Sequence, residues 1–232
     1  RTKDTLTEDY RWRGYGTPPE SNANYAWILH ILSKLNVTKG VAGFLLANGA
    51  LGDDDTVAIR QKLIENDKVE AIFVLPREMF YSTDISVTLW VLNNNKKGGE
   101  WHGRTLRNRE GEVLFVDLRT WSQNVYEKKY VQLLTEQIEA VHKIYTDWQT
   151  IAHKAKYEKP ELYYSATRAE IEANGWSLVP SRYIEFVDRD TELPYEEVLQ
   201  SAGATVKDLL RRQRDNREAL IEAFKTLGYD AE

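Results

Sequence analysis

The stretch Val69–Lys96, VEAIFVLPREMFYSTDISVTLWVLNNNK, constrains this chain more than any other segment. Its first run, Val69 to Leu75, is apolar and rich in β-branched residues, as a buried strand requires. A loop opens at Pro76 and carries two adjacent aromatics, Phe80 and Tyr81. A second β-rich run, Ile85 to Leu92, then gives way to an Asn/Lys/Gly tail. The Pro76–Asp84 loop is too short for a crossover helix, so the two strands are predicted to run antiparallel. Large aromatics in such a loop either cap the core or meet a flat ligand.

Around this unit, helical and strand signals alternate. Asn24 is a candidate N-cap for a helix through about Leu35, with Trp27, Ile28, Ile31, Leu32 and Leu35 at helical spacing. Val41–Leu46 reads as a short strand covered on both faces, ending at Ala47-Asn48-Gly49. Asp53–Asp55 introduces a second helix carrying Val57, Ile59, Leu63 and Ile64, its acids near the positive end of the dipole. The order helix, strand, helix, strand, loop, strand indicates an α/β layered sheet, mostly parallel with one antiparallel strand near an edge. Beyond Gly99, Glu112–Leu118 reads as a further strand and 126–152 as a long amphipathic helix. Thr167–Ala173 reads as a short helix stopped by Gly175. A last helix is expected from about Thr205 to Leu227, after a Glu192–Pro194 linker. Three segments follow from this reading: an α/β part over 1–100, a strand/helix extension over 101–190 and a C-terminal helix over 191–232.

Composition removes several classes of function. There is no cysteine, hence no disulfide or thiolate metal site, which fits a reducing intracellular compartment. His30, His102, His142 and His153 lack ligand-like spacing, so no metal site is expected. A nucleophile elbow and a phosphate-cradling glycine loop are both missing. No apolar stretch approaches the ~20 residues that span a bilayer, so no membrane partner is expected. The net charge of −5 provides no global attraction to nucleic acid, leaving any DNA contact to local patches.

Four phrases then occur in order: YGTPPESNANYAWILHIL (15–32), GVAGFLLANGAL (40–51), IRQKLIENDKVEAIFVLPREMFYSTDISVTLWVLNNNK (59–96) and NGWSLVPSRYI (174–184). Together they resemble the modification subunit of type I restriction–modification systems, an N6-adenine DNA methylase family, over nearly the whole chain. The resemblance implies the C-terminal part of a Rossmann-like methyltransferase sheet with a mainly helical extension. It also implies S-adenosylmethionine as methyl donor, adenine in double-stranded DNA as acceptor, and specificity and restriction subunits as partners in a prokaryotic cytoplasm.

Such enzymes flip the target base out of the stack. By resemblance, Phe80 matches the aromatic that stacks on the flipped adenine. The residues alone leave two alternatives open: Phe80 packs under the sheet edge with Tyr81 on the surface, or Tyr81 does the stacking. The family's glycine-rich donor-binding motif and its Asn-Pro-Pro-aromatic catalytic motif are both absent. Thr17-Pro18-Pro19-Glu20 lacks the amide and the aromatic. The chain is therefore expected to begin just after the catalytic motif, to carry no catalytic residue, and to be inactive alone; the alternative is a non-catalytic assembly module.

Asn48 is a candidate pocket-lining residue, against the plainer reading of a tight Asn-Gly turn. Arg211, Arg212, Arg214 and Arg217 are candidates for subunit or DNA-phosphate contact on a helix with a partial apolar seam. The alternative there is a solvated face, since Asp208, Asp215, Glu218 and Glu222 are interspersed.

Overall fold

A computed structural model describes residues 7–80, 84–121, 125–126, 130–152, 155–187 and 195–228. The chain divides into two compact units, residues 1–186 and 187–232.

In chain order the first unit contains α1 (Asn24–Lys34), β1 (Val41–Ala47), α2 (Val57–Glu65), β2 (Val69–Val74) and β3 (Val87–Asn93). Then come β4 (Gly99–Trp101), β5 (Arg104–Leu106), β6 (Glu112–Asp117), β7 (Val125–Tyr126) and β8 (Tyr130–Val131). It closes with α3 (Thr135–Thr150), β9 (Glu158–Lys159), β10 (Tyr163–Thr167) and α4 (Arg168–Ala173). Six strands form one sheet in the order β1-β3-β2-β6-β10-β9. β2 and β3 pair antiparallel, as the short connection between them demands.

β1, β2 and β6 run the same way, with β3 reversed between the first two. A second reversed strand, β10, pairs antiparallel with β6. Among the described strands only β2 and β6 are parallel neighbours, so the expected mostly parallel arrangement survives as a shared direction of the principal strands. The segment expected as an extension after residue 100 shares this sheet through β6, β10 and β9.

Every position of β2 is buried, which explains why it is apolar at all positions but Glu70. One face packs Ile72, Trp90, Leu92 and Phe115 against Tyr25, Ile28 and Leu29 of α1, Ile59 and Leu63 of α2, and Ile171 of α4. The other packs Ala71, Phe73, Leu114 and Val116 under Trp148 of α3. α3 begins nine residues later than its amphipathic pattern, because Tyr130 and Val131 are taken into a strand pair. α1 likewise starts at Asn24 itself, with Ala23 at the cap position and the Asn22 Oδ1 accepting from the Asn24 amide at 3.1 Å.

At the end where β2 begins, two fully buried charges meet. Arg109 Nε donates to Glu70 Oε1 at 3.2 Å, and Gln149 Nε2 adds a bond of 2.9 Å to the same oxygen. Buried charges persist only when compensated in this way.

The second unit carries α5 (Tyr195–Thr226), which starts ten residues earlier than expected. The predicted Glu192–Pro194 linker lies outside the described residues. None of the described helices is long and apolar enough to cross a membrane.

Candidate functional site

In open α/β sheets, ligands gather outside the carboxyl ends of the parallel strands. Here those ends are Ala47, Val74 and Asp117, and the chain leaves them through three loops. β1 and β2 are separated by β3, so their ends stand roughly 10 Å apart at ~4.8 Å per strand.

The loop after β1 is a 3₁₀ turn, Asn48–Leu51. The amides of Gly52 and Asp53 both donate to the Gly49 carbonyl, at 3.2 and 3.1 Å. Tyr25 Oη donates to the Ala50 carbonyl at 2.8 Å, and burial pushes this hydroxyl up to about 12. The Leu178 amide reaches the Leu51 carbonyl at 2.8 Å, tying the turn to segment 174–184. Arg60, 1% exposed, sits beneath: Nε donates to Trp176 O at 2.6 Å, and Nη1 to Asp53 O at 3.1 Å and Thr56 Oγ1 at 3.2 Å. Asn48 heads the turn, and its Oδ1 is buried with no hydrogen-bond partner among the described residues. An unpaired buried acceptor costs about 1–3 kcal/mol, so this oxygen favours a donor from outside the fold.

The loop after β2 starts tightly. The Leu75 amide donates to Val87 O at 2.9 Å and Ser86 Oγ to Leu75 O at 2.6 Å, pinning both of its stems. Glu78 has φ +61, and its carbonyl accepts from the Val131 amide at 3.0 Å. Phe80 follows, half-buried, and belongs to neither apolar core. Tyr81 lies outside the described residues. After β6, the Asp117 carboxylate accepts from the Arg119 amide at 3.0 Å and its Nη2 at 2.6 Å, which closes that loop on itself.

This end therefore offers an aromatic ring on one loop and an unpaired amide oxygen on another. Among the described residues a nucleophile with an adjacent base is not assembled there. Among the described residues no cluster of three His, Asp or Glu could hold a metal. The glycines after β1 form no open cradle, since a Cβ on Gly52 would stand 3.2 Å from Val179 Cγ2 within the fold.

The four arginines lie on α5 and occupy different sides of it. At about 100° per residue, Arg217 projects along the seam of Val206, Leu210, Gln213 and Leu220. Arg211, Arg212 and Arg214 fall on its flanks and far side, and Arg211 pairs with Asp208 at 2.9 Å. The leucines of that seam are exposed. Two features of the site were not legible in sequence: the buried Arg60 hub and the orphaned Asn48 oxygen. An arginine on the apolar side of α2, level with Ile59, Leu63 and Ile64, is the one signal that pointed to the hub.

Comparison with known proteins gives a consistent picture. The family model described as N-6 DNA Methylase matches residues 2–192. The chain is 32% identical to the type I restriction enzyme HindI methylase subunit of Haemophilus influenzae, over 98% of this chain and 48% of that protein. It is 29% identical to the MjaIX methylase subunit of Methanocaldococcus jannaschii, over 91% of this chain and 36% of the relative. The chain thus spans between about a third and a half of the length of these relatives. Among solved structures, the type I restriction-modification methyltransferase subunit from Streptococcus thermophilus superposes with a TM-score of 0.64 at 21% identity, covering 78% of this chain and 34% of that one. The EcoKI M protein superposes at 0.55 with 18% identity, covering 85% and 45%; at these identities the likeness concerns the fold. The chain belongs to the N-6 DNA methylase family, and the relatives it matches there are type I methylase subunits.

Proposed function

We propose that this chain supplies one wall of the base pocket in a type I modification subunit that transfers methyl from S-adenosylmethionine to the N6 of adenine in DNA. The observation that carries this reading is that Phe80 and the orphaned Asn48 oxygen lie on two loops at the same end of the sheet. An aromatic face accepts a flipped base, and stacking contributes about 1–3 kcal/mol per base. The Asn48 Oδ1 accepts a hydrogen bond from the base or the donor, resolving its burial. The methyl donor brings the transferable group; this chain contributes position and the exclusion of water.

The residues that would orient the amino nitrogen belong to the Asn-Pro-Pro-aromatic motif, which this sequence lacks. The isolated chain accordingly neither binds the donor tightly nor methylates, and calorimetric micromolar binding of S-adenosylmethionine to it would contradict this. α5 docks on the specificity subunit through its apolar seam, with the restriction subunit joining the same cytoplasmic assembly. The test is methylation by a complete modification complex carrying Phe80→Ala or Asn48→Ala. Both variants are expected to slow transfer while circular dichroism stays unchanged, and wild-type rates in both would overturn the reading.

A further inference from the structure

A second cleft lies at the other end of the sheet, where Lys68 precedes β2 and Asn94 follows β3. It is roughly 20 Å from the base-pocket end, given the length of β3 at ~3.3 Å per residue. Its volume is about 320 Å³, within the range of small-molecule sites. Leu29, Leu32 and Leu35 line it beside the rings of Tyr10 and Tyr15.

Its rim is cationic. Arg11 is already paired with Asp9, whose carboxyl it holds down to about 2, and Arg11 Nη1 meets His30 Nδ1 at 3.1 Å. Lys34 Nζ donates to Tyr10 Oη at 2.9 Å, and Lys68 Nζ to Asn94 Oδ1 at 2.9 Å. Among the described residues neither of these lysines nor Arg13 has a carboxylate partner. Arg13 and Lys68 line the cleft beside the paired Arg11, on a chain whose net charge is −5. Mutual repulsion opposes such clustering unless an anion resolves it, and the low-dielectric walls focus the field into the cleft.

We propose that this cleft binds a small phosphate-bearing ligand of the nucleoside monophosphate class. The phosphate sits between Arg13 and Lys68, and the planar base lies against the leucine floor and the tyrosine rings. Guanidinium and ammonium groups supply charge-assisted bonds to phosphate oxygens, and the apolar floor supplies the affinity that free phosphate lacks. Its distance from Phe80 makes it separate from the base pocket.

The experiment is titration calorimetry of the full chain with adenosine 5′-monophosphate, adenosine, inorganic phosphate and a short DNA duplex. The monophosphate is expected to bind with a dissociation constant below 1 mM, at least tenfold tighter than adenosine or phosphate, on the scale of about 1.4 kcal/mol per tenfold. Arg13→Glu with Lys68→Glu should weaken it tenfold or more, and the milder Arg13→Gln should weaken it less, with both variants melting as the wild type does. Binding that both variants leave unchanged, or no binding below 1 mM, overturns the proposal. Binding of the duplex alone, sensitive to the same variants, assigns the phosphate chemistry to a nucleic-acid backbone and overturns the mononucleotide.

Discussion

Replacing Arg60 with methionine tests whether the turn bearing Asn48 is held from below. Methionine keeps the apolar stem of the side chain and removes its donors. The carbonyl of Asp53 retains Thr56 Oγ1 at 3.0 Å and the Thr56 amide at 3.3 Å, so it is not orphaned. The carbonyl of Trp176 loses the 2.6 Å bond from Arg60 Nε, the donor that holds it. A buried acceptor left unpaired costs about 1–3 kcal/mol, and a lost bond from a charged donor falls in the same range. With some relief from entering water, Arg60→Met should destabilise the first unit by about 2–4 kcal/mol. For a unit of this size each kcal/mol moves the melting point by about 2–4 °C, so a drop of roughly 5–15 °C is expected. Thermal unfolding followed by circular dichroism measures it, with the exposed Lys62→Met on the same helix as a control that stays within about 0.5 kcal/mol. Hydrogen exchange supplies a local readout, because the Leu178 amide bonded to Leu51 O should lose protection. A melting point within 2 °C of wild type with Leu178 exchange unchanged would refute the reasoning.

Two further outcomes follow from the same geometry. Partial burial raises the Glu170 carboxyl, but Lys156, Tyr164 and the Thr167 amide and hydroxyl outweigh it and hold it down to about 2, against 4.5 unperturbed. A depressed carboxyl stabilises the fold above pH 4.5 and loses that contribution as pH falls toward 2; Glu170→Gln keeps the cap on α4 and should cost about 1 kcal/mol or less at pH 7, a deficit that closes across that window in melts at graded pH. On α5, Arg217→Glu should weaken co-elution with a specificity subunit, whereas Arg212→Glu should not; equal effects would show that the seam is not the docking surface.

Much of the fold was legible because the sequence states its rules openly. Val69–Val74 is apolar at every position but one and is buried throughout. Thr167 and Glu170 form the reciprocal cap that starts α4. What escaped were elements defined by distant partners. β10, Tyr163–Thr167, has no β-branched aliphatic residue and pairs along β6 from Val116 to Glu112. Tyr130 fits the stripe of α3 yet pairs with Tyr126, since a periodic pattern does not mark its own beginning. The buried charges Arg60, Glu70, Lys96 and Arg109 are compensated by partners far away in sequence, which local patterns do not announce. For the candidate site, Phe80 is singled out by its neighbours in sequence, whereas the state of Asn48 Oδ1 depends on packing.

Single-turnover methyl transfer by a complete modification complex, at saturating DNA and donor, tests the stacking role of Phe80 most directly. Loss of about 1–3 kcal/mol of stacking predicts that Phe80→Ala is slowed roughly 5- to 150-fold, Phe80→Leu partly restored and Phe80→Trp near wild type. Equal rates across the three variants, or a slow Phe80→Trp beside a fast Phe80→Ala, would contradict an aromatic lid over the flipped base.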